Sequence, residues 1–146
     1  MYFVLRFSDM IDVEEEIEFT DVEALFTKAE IKKILKHARV KQHQCHKNSY
    51  KVAEFLNCGI CEGAIMVGLP HAFNYIIRNG KKFYFDITDY NNIRKKIYDD
   101  PTKTAVVLRI YPNCFEIMEK FSQTGKYHLT IERDNRFKDY LMKIAV

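Results

Sequence analysis

Residues 71–88 read HAFNYIIRNGKKFYFDIT, and the fold turns on them. Two apolar, aromatic-rich runs, His71–Ile77 and Phe83–Thr88, flank Asn79-Gly80. That dipeptide favours the left-handed backbone of a tight hairpin turn. With a two-residue turn Arg78 faces Lys81, so paired residue numbers sum to 159. Side chains alternate across a sheet with period two. His71, Phe73, Tyr75 and Ile77 therefore share a face with Lys82, Tyr84, Asp86 and Thr88. His71 and Asp86 become diagonal neighbours, roughly 7–8 Å apart at the backbone and within side-chain reach. A three-residue loop would instead put Asp86 on the opposite face.

Working outward, Cys61–Val67 reads as a third strand. Before it, Cys45, Asn48, Ser49, Val52, Ala53 and Leu56 make one helical stripe, ending before Cys58-Gly59. The thiol of Cys45 stands at the N-terminal end of that helix, where the positive dipole end favours thiolate. The apolar spacing from Asp21 to about Arg39 predicts one helix, capped by Thr20 or Asp21. Residues 2–7 suit a strand, Tyr90–Tyr98 a helix and Thr104–Tyr111 a strand. Residues 113–121 read as helix, 126–132 as strand and Asn135–Ile144 as helix. The class is α+β, with helices early and late and an antiparallel sheet between. There is no repeat or linker, and the longest charge run is Glu14-Glu15-Glu16, so residues 1–146 read as one domain.

Composition bounds the partners. Hydrophobic residues are 47% and charged residues 29%, which fits a packed domain and not a disordered chain. A net charge of +3 lacks the clustered excess of a nucleic-acid binder, so no nucleic-acid partner is expected. No stretch reaches the ~18–20 apolar residues of a membrane helix. The N-terminal MYFVLRFSDMIDVEEEIEF lacks the pattern of a secretory signal. The expected setting is soluble, reducing and cytoplasmic, with signal-free export left open.

The chemistry concentrates between Gln42 and Thr88. A thiol nucleophile needs a favoured thiolate, a base within hydrogen-bond reach and a group that orients the base. Cys45, His71 and Asp86 meet those needs in order. Helix-borne Gln44-Cys45, a strand with Glu62-Gly63, His71-Ala72-Phe73 and Phe85-Asp86-Ile87-Thr88 together resemble the transglutaminase-like branch of the papain-like cysteine enzymes. The likeness spans residues 42–90. It implies a papain-like core, with the nucleophile helix packed on an antiparallel sheet. It implies Cys45 as nucleophile, His71 as general base and acid, and Asp86 as orienting carboxylate. It also implies an oxyanion hole from the Cys45 N–H with Gln44 or Gln42. The implied activity is that of a thiol-dependent peptidase, amidase or acyltransferase, working through a thioester acyl-enzyme on a protein or peptide substrate. No cofactor or metal is implied. His46 and Phe73 stand where members of that branch carry Trp.

Two rival readings use the same residues. One is a binding module that keeps the fold without turnover. The other is a zinc-stabilised interaction domain using Cys45, Cys58, Cys61 and His43, since one C-x-x-C beside a Cys/His cluster has ligand-like spacing. As a redox motif, Cys58-Gly59-Ile60-Cys61 follows a helix and enters a strand, the reverse of the thioredoxin arrangement. The simpler expectation for it is a helix C-terminal turn with Gly59 as the left-handed cap. Cys114 is expected in the core, and Asp89 on the face away from His71.

Overall fold

The computed structural model describes residues 10–66, 68–112 and 131–145. The expected strand at 2–7, helix at 113–121, buried Cys114 and most of the strand at 126–132 lie outside them. The elements run β1 (Ile11–Glu18), α1 (Val22–Leu25), α2 (Lys28–Ala38), α3 (Cys45–Leu56), β2 (Gly59–Ile65), β3 (Leu69–Arg78), β4 (Lys81–Phe85), α4 (Ile87–Arg94), β5 (Thr104–Tyr111), a single 3-10 turn (Ile131–Arg133) and α5 (Asn135–Ile144). The fold is α+β, as expected. Ile131–Arg133 turns where a strand end was expected.

The five strands form one sheet in the order β1-β5-β2-β3-β4, with antiparallel neighbours. The sheet curls until its two edges meet at one end. Phe19, just past β1, bridges Tyr84 of β4, and the Thr20 N–H donates to the Tyr84 carbonyl at 2.7 Å. The concave face buries Ile17, Cys61, Phe73, Tyr75, Tyr84, Ala105, Val107 and Ile110. On the other face α2 and α3 bury Ile34, Val52, Ala53, Ile60, Phe85 and Tyr111. A smaller cluster of Ala64, Leu108, Ile131 and Phe137 sits under α5.

The hairpin follows the predicted register. Arg78 pairs with Lys81, Tyr75 with Tyr84 and Asn74 with Phe85. Asn79 at φ 53° and Gly80 at φ 74° supply the two left-handed residues that such a turn requires. The pairing stops at Phe85, so Phe83–Thr88 is not one strand. Asp86 caps a helix instead, and Thr88 lies inside α4.

Three other expectations are corrected. The helix predicted over 21–39 is two helices. Asp21 caps the first, accepting from the Glu23 N–H at 3.0 Å. Phe26 is extended and turns into the core against Phe85, ring centroids 5.2 Å apart. Thr27 then opens α2 with a reciprocal box: its hydroxyl accepts from the Glu30 N–H, and the Glu30 carboxylate accepts from the Thr27 N–H. Second, the left-handed cap after α3 is Asn57 at φ 54°, while Gly59 opens β2. A Cβ at Gly59 would stand 2.0 Å from the Tyr75 ring, so close packing demands the glycine. Third, the sequence patterning did not announce β1. Ile17 is its one buried residue, and the acids around it suit an edge strand.

Candidate active site

Helix α3 begins at Cys45 and lies across the sheet at β3. Buried Asn74 of β3 anchors it, its side-chain amide donating to the carbonyls of Ser49 at 2.9 Å and Gly59 at 3.0 Å. Asn48, one turn after Cys45, ties the preceding loop to the helix. Its side chain donates to the Lys41 carbonyl at 2.8 Å and accepts from the Lys41 N–H at 3.2 Å. The same amide donates to Thr88 Oγ1 at 2.9 Å, fixing α3 to α4. The helix start that carries half-buried Cys45 is therefore tied to the preceding loop and to α4.

His71 on β3 and Asp86 at the end of β4 meet as the register requires. His71 Nε2 lies 2.6 Å from Asp86 Oδ2, with the side chains 13% and 4% exposed. The Cys45 thiol lies close enough to the His71 ring to favour its protonated form. With Nε2 committed to Asp86, Nδ1 is the nitrogen free to serve the thiol. The Phe73 ring stacks beside the imidazole at 6.2 Å. Burial alone would push the His71 imidazole down. The charge of Asp86, its hydrogen bond and the thiol outweigh that and hold His71 well above its ordinary value.

Asp86 also caps α4, its Oδ1 accepting from the Asp89 N–H at 3.1 Å. Asp89 lies inside α4 and not on the strand face expected for it, and accepts from Tyr98 and from the Thr102 N–H at 3.1 Å. Burial raises the Asp89 carboxyl, with Tyr98 and Thr102 opposing. Gln42 and Gln44 are exposed on the loop leading to Cys45. Gln44 occupies the cap position without a side-chain cap bond. The first N–H groups of α3 precede the intrahelical ladder, and Gln44 offers them no side-chain acceptor.

Beneath the nucleophile helix lies a polar group that sequence reasoning quoted only as part of the resemblance and gave no role. Glu62 on β2 is fully buried; it accepts from the Tyr111 hydroxyl at 2.7 Å and faces His46 Nε2 at 3.8 Å. A cavity of about 380 Å³, lined by Phe19, Val22, Asp86, Tyr90, Ile93 and Lys103 among others, backs onto Asp86. Only the acid Glu62 at a strand-interior position, flanked by apolar residues, hinted at the first of these.

The zinc set is not assembled. Cys58 joins the core under the helices, while Cys61, of opposite parity on the strand, points into the concave core. His43 is exposed, and Cys45 stands at the start of α3, away from both cores. Among the described residues no three His, Cys, Asp or Glu side chains converge as ligands. Nor is any described helix long and apolar enough to cross a membrane. Fold and site together define an α+β domain carrying a Cys-His-Asp cluster. Compared with protein-family models, curated proteins and solved structures, the chain has no match.

Proposed function

We propose that the protein is a thiol-dependent hydrolase or acyltransferase of the papain-like, transglutaminase-like type. The observation that supports this is the His71 ring, which bonds the Asp86 carboxylate and is acted on by the Cys45 thiol. The helix-borne thiol over a curled antiparallel sheet is the arrangement that the sequence resemblance implies. Three free cysteines among the described residues suit a reducing, cytoplasmic setting.

The proposed reaction begins at the thiol. His71 takes the thiol proton, and the Cys45 sulfur attacks an amide, ester or thioester carbonyl of a protein or peptide substrate. The Cys45 N–H, free at the start of α3, receives the oxyanion, with Gln44 or Gln42 as the second donor. Each such donor is worth roughly 3–4 kcal/mol. The His71 imidazolium then protonates the leaving group as the C–X bond breaks, leaving a thioester on Cys45. Water or an amine attacks that thioester, His71 removes the nucleophile's proton, and the thiol is regenerated. Asp86 holds the ring orientation throughout.

Intact-mass measurement after treatment with an activated acyl thioester tests the reading. One acyl mass should appear on wild type and none on Cys45→Ala, with both proteins folded. His71→Ala should slow acylation by roughly 10²–10⁴-fold, the usual share of a general base. Acylation at equal rates in wild type and Cys45→Ala would sink the proposal.

A further inference from the structure

The charges around Cys45 are one-sided. From Ile31 to Ala53 the chain carries seven Lys and Arg and no Asp or Glu, although the whole chain is only +3. Five acids, Asp12, Glu14, Glu15, Glu16 and Glu18, lie instead on the edge strand β1. Three of the cations lie close in sequence to the start of α3. Arg39 and Lys41 lie on the loop before Cys45, and Lys47 is two residues after it.

This group is held in place. The Lys41 backbone is clamped from both sides by the buried Asn48 side chain. Lys47 Nζ donates to the Arg39 carbonyl at 3.3 Å, drawing the loop against the helix. Among the described residues, Arg39, Lys41 and Lys47 form no ion pair, whereas Lys51 reaches Glu54 at 3.8 Å. The cations act on one another: burial first, then Lys41, Lys51 and Arg39, push the Lys47 ammonium down. Three cations without ion pairs, close in sequence to the N-terminal end of α3, bias this end of the molecule toward anions.

We propose that the acyl substrate of Cys45 carries an anionic group beside its scissile carbonyl, received by Arg39, Lys41 and Lys47. The proposal rests on Cys45 being the nucleophile. It narrows the substrate to acidic peptides or other carboxylate-bearing acyl compounds, and it disfavours basic ones. Substrate association should also weaken with salt, because exposed charges are screened within about 10 Å at 0.1 M ionic strength.

Two alkylating reagents of similar size test it. Iodoacetate is anionic and iodoacetamide neutral, and both deliver carbon to sulfur with loss of iodide. At low ionic strength the iodoacetate-to-iodoacetamide rate ratio at Cys45 should exceed that of 2-mercaptoethanol. Lys41→Glu with Lys47→Glu should lower the ratio about three- to tenfold, the size expected for reversing two nearby exposed charges. Lys95→Glu with Lys138→Glu, remote in the chain, should leave it within about twofold of wild type by the same reasoning. If the reversed pair does not fold, Lys41→Gln with Lys47→Gln reads the same quantity with a smaller step. A ratio equal to that of 2-mercaptoethanol, or one unmoved by the Lys41 and Lys47 changes, overturns the proposal. Failure of the nucleophile reading shows separately, as a Cys45 rate with iodoacetamide no faster than the model thiol.

Discussion

Asp86 serves two partners with its two oxygens: Oδ2 meets His71 and Oδ1 caps α4. The two roles can be separated. Asn caps a helix as well as Asp does, but it carries no charge for the imidazole. Asp86→Ala should therefore cost about 1 kcal/mol more stability than Asp86→Asn, as read by denaturant unfolding. His71 gives the matching titration. Its folded value lies above the ordinary 6.5, because Asp86 and the thiol override burial. The protonated ring thus contributes stability that is fully present below 6.5 and lost as pH rises through the folded value. Asp86→Asn should cost more near neutral pH than in alkaline solution. NMR should show the His71 titration in that variant moved to lower pH. An unmoved titration would mean that Asp86 does not govern the ring.

At the scale of elements, local signals are legible in the sequence and non-local ones are not. Asn79-Gly80 sets the hairpin register because both residues tolerate left-handed backbone. That register alone brings His71 to Asp86. Gly80→Ala should cost about 1 kcal/mol through its positive φ, measurable by thermal unfolding. The break at Phe26-Thr27 is also written locally, as Thr27-x-x-Glu30, but the continuous apolar spacing conceals it. Thr27→Ala should cost about 1 kcal/mol by removing the cap oxygen. By contrast, the bonds of Asn48 to Thr88 and of Asn74 to Ser49 and Gly59 join residues 15 to 40 apart. No short-range pattern announces such partners. The pattern places Asp86 correctly against His71 but on a strand, because the aromatic run Phe83-Tyr84-Phe85 conceals a helix cap.

Across the whole molecule, the two cores on either side of the sheet explain why Cys58 and Cys61 do not share a metal site. Strand parity sends Cys58 and Cys61 to opposite cores. A chelator should leave the melting temperature unchanged, whereas a structural zinc would make it fall. The closing contact between Phe19 and Tyr84 is illegible in the sequence, since β1 hides its apolar alternation among acids that an edge strand tolerates. What the curl achieves is placement: the β3–β4 hairpin presents His71 and Asp86 beside the start of α3. Whether those three residues act as one unit is read most directly from iodoacetamide labelling near neutral pH, resolved by peptide mass spectrometry. Cys45 should label faster than a model thiol and faster than Cys58 and Cys61, and His71→Ala and Asp86→Asn should each slow it. Labelling of Cys45 at the model-thiol rate, unchanged by loss of His71, would contradict the account.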